Sequence, residues 1–259
     1  MRKINVKPQR EFRIPVEAEK IRPDVFAPLT IEEMGKLEVW EGNRKVTLAE
    51  LFIISGDDGP AKPEETLIRL LGDFSRVKRV GEKMTCGRIA ADGDLGMHAG
   101  NGMAGGEIEI MGRAGGWLGR EMRGGTIIVR GNAGDYVGSG YRGESCGMRG
   151  GEILIEGSAG DYLGEHLCGG TITVRGNAGD FPGIANRGGI INIGGDAHLP
   201  GAEMASGTIT VKGRARVLPS YQYLETVEID GLSLKKFLGD LVDNGKGELY
   251  AASVEDGGA

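Results

Sequence analysis

The sequence predicts an all-β protein: a right-handed parallel β-helix of about seven to eight coils of ~19 residues, with a mixed N-terminal capping arm and a short C-terminal helix. Three observations carry this. Glycine supplies 48 of 259 residues, far above the usual ~7%, and is concentrated between residues 87 and 213. An octapeptide recurs as GNAGDYVG from Gly131, GSAGDYLG from Gly157 and GNAGDFPG from Gly176. Between these copies apolar residues alternate with period two, the mark of a short strand with one buried face.

Anchored on the second glycine of each Gly-Gly pair or its equivalent, units begin at Gly87, Gly106, Gly125, Gly151, Gly170, Gly189 and Gly207, spaced 19, 19, 26, 19, 19 and 18 residues apart. The long spacing is one period plus a seven-residue insertion. Two past each anchor stands isoleucine: Ile89, Ile108, Ile127, Ile153, Ile172, Ile191 and Ile209. Four past stand Ala91, Ile110, Val129, Ile155, Val174, Ile193 and Val211, and six past is always glycine. A degenerate unit precedes them, with Ile68, Leu70 and Gly72 two, four and six past Thr66. Such a unit cannot bury its apolar side alone but can on stacked copies of itself, so each column becomes a ladder. At ~4.8 Å per coil, eight coils stack to about 35–40 Å. The right hand follows from the chirality of parallel crossovers. Nineteen is not a multiple of six, which disfavours left-handed hexapeptide helices, and glycine every few residues excludes helical repeats. GNAGDYVG is thus the corner of one coil rather than a phosphate cradle.

Three columns carry larger side chains. Met84, Met103, Met122, Met148, Leu167, Asn186 and Met204 stand three before the anchors and read as a core ladder. Eleven past stand His98, Trp117, Tyr136, Tyr162 and Phe181, an aromatic ladder supporting the stack or a stacking surface for a partner. Asp135, Asp161 and Asp180, ten past, line one solvated edge.

The chain divides into an arm over residues 1–65, the repeats over 66–218 and a tail over 219–259. In the arm, a Pro-containing extended segment leads into a helix capped by Thr30, with Glu33 in the capping-box position. KLEVWEGNRKVTLAELFIISGD then reads as a strand, a turn and a further strand or short helix, capping the first coil. In the tail, SLKKFLGDLVD, Ser233 to Asp243, reads as an amphipathic helix.

A net charge of −6 argues against nucleic acid or an anionic membrane as partner. No apolar run approaches the ~18 residues that span a bilayer, and MRKINVKPQREF has no signal-peptide core, so a cytoplasmic location is expected. Cys86, Cys146 and Cys168 form no CxxC pair and read as reduced thiols. His98, His166 and His198 fall in three columns, which argues against a shared metal. There is no GxSxG, HExxH, Walker motif or recognisable acid pair, so no catalytic, cofactor-binding or metal-binding residue is assigned. The insertion SGYRGESCG, Ser139 to Gly147, breaks one coil, and its Tyr141, Arg142 and Glu144 are the candidate partner interface.

Several stretches resemble the C subunit of formylmethanofuran dehydrogenase: EAEKIRPDVFAPLTIEE from Glu17, SRVKRVGEKMTCGRI from Ser75 and, above all, GDYVGSGYRGESCGMRGG from Gly134, with its long coil. The glycine repeat alone is shared with the C-terminal domain of the glutamate synthase large subunit. The resemblance implies a cytoplasmic complex of archaea that reduces CO2 and forms formylmethanofuran in the first step of methanogenesis. It implies partners: an amidohydrolase-like subunit, a molybdopterin or tungstopterin subunit and ferredoxin-like subunits. These would carry the molybdenum or tungsten pterin, the iron–sulfur clusters and a dinuclear metal site, leaving this chain a scaffold without an active site. A similar subunit occurs in the formyltransferase/hydrolase complex of methylotrophs, which lacks the redox chemistry. A freestanding ligand-binding or glycan-cleaving β-helix stays open as an alternative, as does a glutamate-synthase-like module.

Overall fold

The computed structural model describes residues 1–255; the last four residues of the predicted tail, 256–259, lie outside the described residues. The arm contains β1 (Arg2–Pro8), β2 (Val16–Glu17), α1 (Pro23–Phe26), α2 (Ile31–Gly35), β3 (Glu38–Glu41), β4 (Arg44–Thr47), α3 (Leu48–Leu51) and β5 (Phe52–Gly56). The repeats contribute β6 (Thr66–Leu70), β7 (Val77–Lys78), β8 (Arg88–Ala91), β9 (Glu107–Ile110), β10 (Thr126–Val129) and β11 (Arg149–Ile155). They continue with β12 (Gly169–Val174), β13 (Arg187–Ile193), β14 (Ala197–His198) and β15 (Ser206–Arg216). The chain ends in β16 (Gln222–Ile229), β17 (Leu232–Gly239) and β18 (Gly247–Val254).

The molecule is mostly β. Among the described residues, fourteen strands form one sheet, in the order β16-β17-β18-β15-β13-β12-β11-β10-β9-β8-β6-β1-β5, with β14 pairing β15 to the side. From β6 to β15 each strand along this path pairs in parallel with the strand of the next repeat, so the alternating apolar columns become ladders. Ile68, Ile89, Ile108, Ile127, Ile153, Ile172, Ile191 and Ile209 lie in register on successive strands, and Leu249 of β18 continues the line. All of them are buried. A second inward ladder joins Phe74, Leu95, Ala114, Ala133, Ala159 and Ala178 through single parallel bridges. The methionine column is the third, and its members are fully buried. Asn186 interrupts it without an unmet polar group: its Oδ1 accepts from the N–H of Gly188 and Gly189, and its Nδ2 donates to the Gly189 carbonyl.

The glycines are needed where repeat touches repeat. At Gly125 φ is +87°, and a Cβ there would stand 2.7 Å from the Gly106 carbonyl oxygen. At Gly138 φ is +68°, and a Cβ would stand 2.6 Å from Cδ1 of Ile172. Any side chain at either position would push the rungs apart.

The arm covers one end of the stack. β1 pairs in parallel with β6, and β5 pairs antiparallel outside it, so the edge of the first repeat is covered. The predicted helix start is as expected: the Thr30 side chain accepts from the Glu33 N–H while the Glu33 carboxylate accepts from the Thr30 N–H. The strand-turn-strand reading of residues 36–57 corresponds to β3, β4, α3 and β5, and β2, β3, β4 and β7 make a second, four-stranded sheet.

Two expectations are overturned. Ser233–Asp243 is not an amphipathic helix: Ser233–Gly239 lies in β17, and Leu241–Asp243 is one 3-10 turn. β17 is sandwiched between β16 and β18, antiparallel to both. Its apolar spacing suits either structure, and the two-sided ladder of backbone hydrogen bonds decides for strand. The hairpin had a legible signal, Asp230-Gly231, where φ is +51° and +75° at the two turn residues. The second correction concerns the thiols. Cys146 and Cys168 form a disulfide, with Cα atoms 5.5 Å apart, and only Cys86 is free. Their separation of 22 residues becomes adjacency because the inserted loop returns to the stack beside the following repeat, where the Cys168 N–H donates to the Met148 carbonyl.

Candidate functional site

The aromatic column and the inserted loop adjoin at one corner of the stack, where Tyr141 stands beside Trp117. The aromatic residues share an unusual backbone. His98, Trp117, Tyr136, Tyr162 and Phe181 all lie in the left-handed region, with φ of +64°, +61°, +60°, +58° and +55°. Bulky side chains avoid this region at a cost of about 1–2 kcal/mol each, so something must hold them there. Backbone bonds between repeats do so: the N–H of Trp117 donates to the Asp135 carbonyl, that of Tyr136 to the Asp161 carbonyl and that of Tyr162 to the Asp180 carbonyl, and the non-aromatic Arg79 and Leu199 share the same left-handed backbone and the same bond. The rings stack on this frame. Trp117 and Tyr136 lie 4.4 Å apart at 11°, Tyr136 and Tyr162 5.0 Å apart at 6°, and Tyr162 and Phe181 5.8 Å apart at 18°. His98 extends the ladder 6.0 Å from Trp117. The long repeat does not interrupt it, because its extra residues enter after the column.

The inserted loop closes on itself. The Met148 N–H donates to the Gly138 carbonyl, so the chain departs and returns at one point. Inside it Ser139 is fully buried, and its hydroxyl donates to the Tyr136 carbonyl. The Glu144 N–H donates to the Tyr141 carbonyl, forming the tip turn. The Gly140 N–H donates to the Glu165 carbonyl, the Gly147 N–H donates to the His166 carbonyl, and the disulfide fixes the base.

Tyr141 is 56% exposed. Its ring stands 6.3 Å from Trp117, and the Arg120 guanidinium lies 4.9 Å over its centre. Arg120 is itself held by the buried Asn101, whose Oδ1 accepts from Arg120 Nε at 2.7 Å. Arg142 and Glu144 are exposed on the same loop. The structure therefore brings Tyr141 against the aromatic ladder through Trp117, while Arg142 and Glu144 face solvent. Arg120 and Asn101 were missed by sequence reading, because their role depends on lying under the loop.

Burial sets the electrostatics of this corner. Desolvation lowers the His98 pKa to about 4, helped by Arg120, Arg79 and Lys78 nearby. Burial raises Glu165 above the usual carboxylate range, against the pull of His166 and Arg142. Nδ1 of His98 and of His166 is buried without a hydrogen-bond partner among the described residues. His198 lies elsewhere, its Nδ1 2.8 Å from Oδ1 of Asp180.

The aspartate column turns out to be structural. Oδ1 of Asp135 accepts the Asp161 N–H, and Oδ1 of Asp161 accepts the Asp180 N–H. Among the described residues, no three His, Cys, Asp or Glu side chains gather in metal-binding geometry, and no helix is long and apolar enough to cross a membrane. What this corner offers is a stacked aromatic ladder beside one exposed tyrosine whose ring carries the Arg120 guanidinium.

No family model matches the chain. Among curated relatives it is 45% identical over 91 residues to the C subunit of the molybdenum-containing formylmethanofuran dehydrogenase 1 of Methanosarcina barkeri, covering 35% of this chain and 30% of that one. It is 40% identical over 98 residues to the C subunit of the tungsten-containing formylmethanofuran dehydrogenase 2 of Methanothermobacter wolfeii, covering 38% of this chain and 36% of that one. The matches thus span about a third of either relative's length. Among solved structures, the fold matches a chain of the formyltransferase/hydrolase complex (FhcABCD) of Methylorubrum extorquens, determined in complex with methylofuran. The TM-score is 0.87 at 28% identity, over 95% of this chain and 98% of that one. The chain is therefore similar in part of its sequence to the C subunits of formylmethanofuran dehydrogenases, and over nearly its whole length to a chain of the formyltransferase/hydrolase complex.

Proposed function

We propose that this chain is a non-catalytic structural subunit of a formylmethanofuran dehydrogenase complex, which reduces CO2 and forms formylmethanofuran. The observation that carries the reading is the 40–45% identity to the C subunits of both molybdenum- and tungsten-containing enzymes. In this reading the stacked repeats, residues 66–218, are a right-handed β-helix of seven to eight coils between the arm and the tail. The complex is cytoplasmic. The amidohydrolase-like, pterin-bearing and ferredoxin-like subunits hold the metals and the active sites, and the loop of Tyr141, Arg142 and Glu144 contacts one of them. A second reading, membership of a non-redox formyltransferase/hydrolase complex, is favoured by the near-complete structural match.

Native mass spectrometry on material captured through a tag on this chain in its own host tests both. Co-purifying metal-containing subunits with CO2-dependent formylmethanofuran formation support the first reading. Partners with formyl transfer and hydrolysis but no bound molybdenum or tungsten support the second. A folded chain that returns alone refutes both.

A further inference from the structure

The arginines of the repeats fall into two groups. Most of those on the sheet and the next corner are neutralised across neighbouring repeats: Arg88 by Glu107, Arg113 by Asp94, and Arg130 by both Glu109 and Glu156. Arg69 pairs with Asp92, and Arg214 with Asp196 and Glu255. A different column breaks this pattern. Two residues before their anchors stand Arg123, Arg149 and Arg187. The backbone places them in one line: the N–H groups of Arg123, Arg149, Cys168 and Arg187 donate to the carbonyls of Met103, Met122, Met148 and Leu167, the inward column of each preceding repeat. Arg123 and Arg149 are therefore on adjacent rungs, and Arg187 is two rungs beyond Arg149.

All three are exposed, and among the described residues their side chains take part in no hydrogen bond or ion pair. Cys168 sits in the gap between Arg149 and Arg187, and its disulfide to Cys146 ties the inserted loop beside the line. Three unneutralised like charges on rungs spaced ~4.8 Å apart are a cost to the isolated chain. That cost persists in a protein of net charge −6 that pairs most of its other ladder arginines.

We infer that the line Arg123, Arg149 and Arg187 is the docking site for an extended acidic segment of a partner subunit, which supplies the carboxylates this chain withholds. The inference rests on the multisubunit reading above. Guanidinium forks take carboxylates bidentately. An extended strand laid along the stack presents alternate side chains every ~6.6–7 Å, within reach of successive arginines. Nucleic acid is the less suitable occupant, since its phosphates would also meet the acidic ladder residues and the overall negative charge.

The test compares the tagged wild-type chain with R123E/R149E/R187E and R123Q/R149Q/R187Q in the native host, all three positions lying outside the loop. Each is checked for an unchanged melting transition, which the lack of intramolecular partners leads us to expect. With the Glu variant, partner subunits should be recovered at least ~10-fold less, with the Gln variant falling between. Raising salt from about 0.1 M to about 0.5 M should strip partners from the wild type and change little for the Gln variant. Wild-type recovery and salt response in the Glu variant would overturn the inference while leaving the complex assignment standing. Recovery of nucleic acid, lost in the Glu variant, would replace the acidic segment as occupant. A wild-type chain that returns alone would refute the complex assignment and this inference together.

Discussion

Trp117 and Tyr136 stack at 4.4 Å from neighbouring repeats, both on a left-handed backbone that neither residue favours. The aromatic ladder therefore carries two opposing terms, ring contact and backbone strain. Substitutions can separate them. Trp117→Ala loses the ring but keeps the unfavourable φ and should cost about 2 kcal/mol. Trp117→Gly loses the ring and the strain, and should recover about 1 kcal/mol of that loss. Urea unfolding of the pair reads the difference. Equal stability of the two variants would mean that the backbone there is unstrained.

The turn glycines allow a similar separation. Gly143, at the loop tip, has φ +89° and nothing within 4 Å of an added Cβ, whereas Gly125, at +87°, has the Gly106 carbonyl oxygen at 2.7 Å. Gly143→Ala should cost about 1 kcal/mol, from backbone conformation alone. Gly125→Ala adds a clash between rungs and should cost about 3 kcal/mol or more. Thermal melts with matched costs for the two would show that the repeats are not packed as closely as this spacing requires.

Acid sensitivity should trace to His98. Its folded pKa of about 4 lies below the ordinary 6.5, so the unfolded chain binds the proton more readily between those values. Stability from this group is complete above pH 6.5 and declines as pH falls towards 4, by roughly 1–2 kcal/mol once solvent screening of the partly exposed ring is allowed for. Glu165, raised by burial, works the other way, since its protonation relieves a desolvated charge as pH falls. His98→Phe should flatten the decline between pH 6.5 and 4 and keep the ring stack. An unchanged slope in denaturation series across that range would assign the acid response to other groups.

The Cys146–Cys168 bond closes a segment of 22 residues in sequence separation. Chain-entropy arguments give such a closure about 3 kcal/mol. Cys146→Ser, or reduction of the wild type, should lower stability by about that amount and free the loop of Tyr141 to exchange its amides. Hydrogen exchange should show faster labelling confined to residues 139–147, with the isoleucine ladder still protected. Identical exchange with and without reductant would mean that the backbone bonds at Gly138, Gly140 and Gly147 hold the loop unaided.

Much of the architecture was legible because a repeat states its own register. Once Ile89 and Ile108 occupy the same place in successive units, stacking them is the one arrangement that buries both, and the structure pairs them. The capping box at Thr30 was legible for a similar reason, since its partners are three residues apart. The tail was misread because Leu234, Phe237 and Leu238 fit a helical face as well as a paired strand. Asp230-Gly231 was the local signal that could have decided it. The loop was visible as an insertion, but the residues supporting it were not: Arg120 and Trp117 meet Tyr141 only in the fold, and Asn101, one repeat earlier still, holds Arg120 there.

By itself the sequence determined the period, the inward columns and the glycine corners, because these follow from local alternation and from which residues tolerate a left-handed backbone. Only the tertiary structure decided that the arginines of one column go unpaired while most of the others are neutralised, that Cys146 meets Cys168, and that five aromatic residues share strained backbone to stack. The physical reason is the same in each case. These relationships run between rungs rather than along the chain, and the ~4.8 Å step that brings residues 19 to 26 apart into contact exists only once the repeats have stacked.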